Sequence, residues 1–133
     1  MGGYKKGSLH PLTIATQEAV SIFRDLGFEV ALGPELEDDW HNFGALNFPD
    51  NHPARDMQDT FFIKGQEGKV LRTHTSNTQI RYMEEIVKSG GNPPFAIVVP
   101  GKVFRNESTD SGHEMQYYQI EGLMIGEDIS VSN

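Results

Sequence analysis

Val99-Pro100-Gly101-Lys102-Val103-Phe104-Arg105 and, beyond a polar loop, Tyr117-Tyr118-Gln119-Ile120-Glu121-Gly122-Leu123 decide the reading of this sequence. Phe95 to Phe104 is mostly apolar and strand-like, and Tyr117 to Ile125 is a second strong strand. Asn106 to Glu114 between them is polar and contains glycine, as a loop does. Side chains at i and i+2 share one face of a strand. Arg105 and Glu107 therefore point together, as do Gln119 and Glu121. If the two strands pair, one sheet face carries a guanidinium, two carboxylates and an amide. A guanidinium grips phosphate oxygens in a fork, and Glu121 can accept from an ammonium group. Spacing alone favours a plainer reading, charged residues on a solvated face, because antiparallel sheets commonly alternate that way. Pro100 predicts a bulge or a sheet edge.

The rest of the chain fills in around this pair. Residues 1–9 read as a loose leader. Pro11 suits the first turn of a helix, and Leu12, Ala15, Ala19, Ile22 and Leu26 then recur at helical spacing until Gly27. Phe28 to Leu32 reads as a strand ended by Gly33-Pro34. A short helix is expected over Asp38 to Leu46, then a long polar loop from Asn47 to Asp59. Loops of that length in a compact domain are usually functional. Thr60 to Ile63 and Val70 to Arg72 read as a hairpin turning at Gly65-Gln66-Glu67-Gly68. Thr75 or Ser76 then caps a second amphipathic helix carrying Ile80, Met83 and Ile86, and Gly126 to Ser130 reads as the opening of a third. The expected architecture is α+β, a largely antiparallel sheet with helices on one face.

Composition narrows the function classes. Of 133 residues, 37% are hydrophobic, which supports one core. The formal charge of −8 excludes a generally basic nucleic-acid coat. With no cysteine, disulfides, thiolate metal sites and cysteine nucleophiles are excluded. No apolar run reaches the ~20 residues of a membrane span, and no apolar region follows Met1 as in a signal peptide. The chain reads as soluble and cytoplasmic, with no membrane partner.

The residues Arg72-Thr73-His74-Thr75-Ser76 stand where a strand gives way to a helix. Their hydroxyls suit helix capping, and the helix start with His74 and Ser76 also suits a small anionic ligand. Pattern alone favours the cap. His10, His41, His52, His74 and His113 show no zincin spacing, so no metal site is expected. Neither a phosphate-binding P-loop nor a Rossmann glycine turn is present, nor is a serine-hydrolase elbow. In the long loop, Arg55 reads as pairing with Asp56 or Asp59 to tie the loop down.

Three stretches in order resemble one known family: Gly33-Pro34-Glu35 with His52-Pro53-Ala54-Arg55-Asp56; Leu71 to Ser76; and Val99 to Arg105 continuing through Gln119 to Leu123. Together they resemble the catalytic domain of the bacterial phenylalanyl-tRNA synthetase alpha subunit, a class II aminoacyl-tRNA synthetase. The resemblance runs from His10 to the end. It implies that the Leu12–Leu26 helix, the next strand and Pro34 form motif 1, a subunit interface. Motif 2 would run from the strand ending at Arg105 through the loop with His113 to Glu121. The implied reaction joins phenylalanine to ATP as an adenylate, then transfers the acyl group to tRNA(Phe), a ligase step of protein biosynthesis. Arg105 is implied as the catalytic residue on the α-phosphate, with Glu107 and His113 also binding ATP. His74, Ser76, Gln79, Gln119 and Glu121 are implied to hold the amino acid. Mg2+ would bridge ATP phosphates, its protein ligand lying outside this chain. The implied partner is a beta subunit, in a heterotetramer of two alpha and two beta chains.

Two departures qualify the resemblance. The family often places a large aromatic residue between Met57 and Asp59, and here Gln58 stands there. Residues 10–133 also match only the N-terminal part of the catalytic domain, with motifs 1 and 2 but not motif 3. The expectation is a fragment, inactive alone and able to self-associate, whose tRNA contacts lie elsewhere. The alternative is a non-catalytic class II-like paralogue acting as a ligand-binding or subunit-docking module. A different adenylate-forming ligase is a third reading.

Overall fold

The structure, a computed structural model, describes residues 6–56, 59–106 and 115–132. Helix α1 spans Pro11–Asp25. Pro11 needs no N–H there, and His10 Nδ1 accepts from the Leu12 N–H at 3.1 Å. Its end is a Schellman closure: Gly27 takes φ 93°, its N–H reaches Arg24 O, and Phe28 N–H reaches Phe23 O, both at 2.9 Å. The Phe23 and Phe28 rings then meet edge to face at 5.2 Å, the apolar contact that fastens such a cap.

The remaining elements are β1 (Glu29–Val30), β2 (Leu36–Asp38), α2 (Asp39–Asn42), β3 (Lys69–Leu71), α3 (Ser76–Lys88), β4 (Phe95–Phe104) and β5 (Gln116–Ile125). Short 3-10 turns at Gly44–Leu46 and Pro53–Arg55 shape the long loop. The main sheet has the order β1-β4-β5, with β1 parallel and β5 antiparallel to β4. β2 and β3 make a separate antiparallel ribbon. The α+β, largely antiparallel expectation therefore holds. Helices flank both faces, however: α3 packs Ser76, Gln79 and Tyr82 on one, while Phe28, backed by α1, approaches Gly122 from the other.

Several strand expectations change. The Phe28–Leu32 strand shrinks to two residues. The 60–63 and 70–72 hairpin forms as a short one, with Ile63 N–H donating to Lys69 O at 3.1 Å and Leu71 N–H to Phe61 O at 3.0 Å around a Phe62–Val70 bridge, and β3 gives its other edge to β2. β2 itself escaped sequence reading since Glu37 and Asp38 look like loop residues, yet Glu37 is fully buried. Residues 126–130 form turns, with Asp128 at φ 59°, and no helix.

Pro100 sits in an unbroken register, opposite Ile120, with no bulge. The edge half of that expectation is what the structure adopts. On β4, Val98 O accepts from Ala31 N–H and Phe104 N–H reaches Arg72 O, so even-numbered residues face away from β5. Pro100 turns its missing N–H to that same side, just past the end of β1. The apolar core lies beneath α3, where Ala31, Ile97 and Val99 are buried with Tyr82 and Leu123 against them.

Candidate active site

β5 alternates cleanly, but in the sense opposite to the plainer reading. Tyr117, Gln119, Glu121 and Leu123 are half-buried, while Tyr118, Ile120 and Met124 are exposed. Glu121 stands opposite Val99 and Gln119 opposite Gly101. Arg105 continues the same parity past the end of β4, its N–H on Met115 O at 2.9 Å. Arg105, Gln119 and Glu121 thus share one half-buried, covered face, as alternation predicts.

What covers them is the segment from Thr73 to Gln79. Ser76 Oγ donates to Glu121 Oε2 at 2.6 Å, and Gln79 Nε2 donates to the same oxygen at 2.6 Å. The Thr75 N–H donates to Gln119 Oε1 at 3.3 Å. Arg105 donates from Nε to Thr73 O at 3.1 Å and lies 5.5 Å from the centre of the Tyr117 ring. The helix begins at Ser76 with Thr75 as its N-cap, but no side-chain capping bond forms. Thr75 thus takes the expected N-cap position, but its buried hydroxyl accepts from no helix N–H, and the Ser76 hydroxyl is turned to β5 as a donor to Glu121.

Beside this face lies a cavity of about 320 Å³ lined by Phe48, Ala54, Asp59, Thr73, His74 and Arg105. Both His74 ring nitrogens are buried without a hydrogen-bond partner among the described residues. Burial pushes the imidazole pKa down against the pull of Glu121, so the ring is neutral and offers one donor and one acceptor. Phe48 stacks on His74 at 6.0 Å, and His52 meets Phe48 edge-on at 4.9 Å. Arg55 fixes this wall by donating to Phe48 O at 2.7 Å and pairing with Asp39 at 2.9 Å. The loop is tied down as expected, with Asp39 of α2 as a carboxylate partner that sequence did not offer. Glu107, His113 and Gln58 lie outside the described residues.

Behind the site the interior is polar. Glu37 accepts from Asn77 at 2.7 Å and from Arg81 through both carboxylate oxygens. Burial alone would raise the Glu37 pKa, but these donors outweigh it and hold the carboxyl below its usual range. Asn77 also donates to Pro34 O at 3.1 Å, while the Pro34 ring is exposed. Glu37, Asp38 and His41 lie close enough to ligate a cation, but Arg81, Asn77 and Glu84 already occupy their atoms. Among described cavity residues only Asp59 is a carboxylate, which is not a cation cage. Sequence reasoning missed the roles of Phe48 and Asn77. Asn77's partners Pro34 and Glu37 and the His74 ring that Phe48 stacks on are distant in sequence, and no local pattern marks them.

A paired-strand platform with an arginine at its end, an acid and amide on the same face and a helix start laid across them makes up the described part of the site. The chain belongs to the tRNA synthetases class II core domain (F) family, which it matches over residues 2–133. A phenylalanine–tRNA ligase alpha subunit of Flavobacterium psychrophilum is 50% identical over 97% of the chain and 37% of that protein. Alpha subunits of Leptospira biflexa and Xanthomonas campestris pv. campestris are 50% and 49% identical over 97% and 92% of the chain. The chain spans about a third of these relatives' length, 36% in both of those cases. The pyrrolysyl-tRNA synthetase of Desulfitobacterium hafniense shares the fold at TM-score 0.67 and 17% identity, over 83% of this chain and 37% of that one.

Proposed function

We propose that the chain forms the amino-acid and α-phosphate half of a phenylalanine-activating site. One observation carries this: Glu121, held by Ser76 and Gln79, lies on the same covered face as Arg105 beside a cavity lined by His74, whose ring nitrogens have no hydrogen-bond partner among the described residues. Glu121 would accept from the substrate ammonium group, with Gln119, Gln79 and Ser76 keeping its position. The neutral His74 would bond the uncharged or anionic end of the amino acid. Arg105 would hold the α-phosphate of ATP as the phenylalanine carboxylate oxygen attacks phosphorus and pyrophosphate leaves. Fixed positive charge there answers the charge that develops in the transition state. Glu107 and His113 would complete the ATP contacts. With one carboxylate at the cavity wall, Mg2+ would ride on ATP phosphates, its usual habit.

The whole protein would transfer the acyl group to tRNA(Phe) in the cytoplasm, working with a beta subunit as a heterotetramer of two alpha and two beta chains. The surface around Pro34 and α1 would form the subunit interface. Support comes from the named relatives and from α1, none of whose residues is buried. A non-hydrolysable phenylalanyl-adenylate analogue is expected to raise the melting temperature of the 133-residue chain more than the corresponding alanyl analogue. No phenylalanine-dependent pyrophosphate exchange is expected from the chain alone. An equal response to both analogues would defeat this reading in favour of the docking module.

A further inference from the structure

The chain leaves β4 after Ala31, and beyond that point the Arg72 side chain reaches from β4 to the departing segment. Arg72 is 3% exposed. Its Nε donates to Lys102 O at 2.7 Å and its Nη1 to Gly33 O at 3.2 Å, while its own carbonyl accepts from Phe104 N–H at 2.9 Å. Arg72 N–H also donates to Glu35 O at 2.9 Å. With Asn77 on Pro34 O, three consecutive carbonyls, Gly33 to Glu35, are taken by residues 72 and 77. Those two residues bracket Thr73 to Ser76, the piece of chain that meets Gln119, Glu121 and Arg105. The guanidinium lies against Gly101, where a Cβ would come within 2.1 Å of Nη2, and Gly101 is the register partner of Gln119.

The geometry assigns Arg72 as a positioning residue: its buried guanidinium sets the height of the Thr73–Ser76 segment over β5, and so the contact of Ser76 and Gln79 with Glu121. It reaches no substrate itself and does not line the cavity. Lysine cannot reproduce this, because a point ammonium lacks the planar fork that spans one carbonyl on β4 and another in the connection before β2. The inference extends the phenylalanine reading, since the contact it sets is the one proposed to receive the ammonium group.

The test compares Arg72→Lys with Val98→Ala, a cavity mutation on the opposite face of β4. Two readouts are taken on the 133-residue chain well below each melting temperature: the Gln79 side-chain amide resonance without ligand, and phenylalanine affinity by calorimetry. Arg72→Lys is expected to shift that resonance and to weaken phenylalanine binding by about tenfold or more, as small misplacements do. Val98→Ala is expected to lower the melting temperature and leave both readouts in place. Arg72→Gln, which retains a planar donor without the charge, serves if the lysine variant does not fold. An unmoved Gln79 resonance in the Arg72 variant overturns the assignment, as does an equal loss of affinity in Val98→Ala. If the unmutated chain binds no phenylalanine, the substrate reading fails, and the ligand-free resonance still decides Arg72.

Discussion

Glu121 receives two 2.6 Å hydrogen bonds from residues 42 and 45 positions away, which makes it the residue on which the site turns. Bonds to a charged acceptor contribute roughly 1.5–3 kcal/mol each. Glu121→Gln is therefore expected to abolish phenylalanine-dependent thermal stabilisation, while Ser76→Ala weakens it, both readable by differential scanning fluorimetry. Gly101→Ala drives a methyl to 2.1 Å from the Arg72 guanidinium and 3.2 Å from Thr75 Cγ2. Overpacking of this kind costs about 1–3 kcal/mol, and urea denaturation is expected to show that loss. At this scale the sequence was half legible. Strand alternation put Arg105, Gln119 and Glu121 together, because a period of two leaves no choice. It could not say that this face is the covered one. Charges usually face water, and the donors that reverse the preference, Ser76, Gln79 and the Thr75 amide, come from a helix start that local pattern assigns to capping.

Between elements, His41 of α2 clips onto α3. Its Nδ1 faces Asp38 at 2.8 Å and its Nε2 faces Glu84 at 2.9 Å, with Glu37 at 3.8 Å and Arg81 beyond. Burial opposes charge on the ring, but the Glu84 and Asp38 carboxylates outweigh it and raise the pKa above 6.5. A raised folded value means that the proton stabilises the native state. That contribution is full below the unfolded pKa and disappears as pH climbs through the folded one. His41→Gln is therefore expected to lower the melting temperature at pH 6 and to converge on the parent chain at alkaline pH. Equal losses at both ends would refute the clip. The elements themselves were legible where periodicity is long, as in α1, α3, β4 and β5. β2 was not, because a buried acid paired to Arg81 looks like a surface acid in sequence.

For the molecule as a whole, one helix is left over. α1 and its C-cap carry Leu12, Ile22 and Leu26 at helical spacing, yet Ile22 is 61% and Leu26 68% exposed, and Leu32 farther along is 77% exposed. An apolar stripe of this kind calls for a partner. The chain alone is expected to elute from size-exclusion chromatography above its monomer mass, and Ile22→Glu with Leu26→Glu to restore the monomer. A monomeric parent at high concentration would count against the interface. The clasp on Gly33, Pro34 and Glu35 has a consequence for motion. The Thr73–Ser76 segment is pinned at both ends, and freeing Thr75 means breaking hydrogen bonds to β4, β5 and the 33–35 strip at once. The Thr75 amide should accordingly exchange with solvent only as the entire domain unfolds, so that this covered face and the architecture are lost in a single cooperative event.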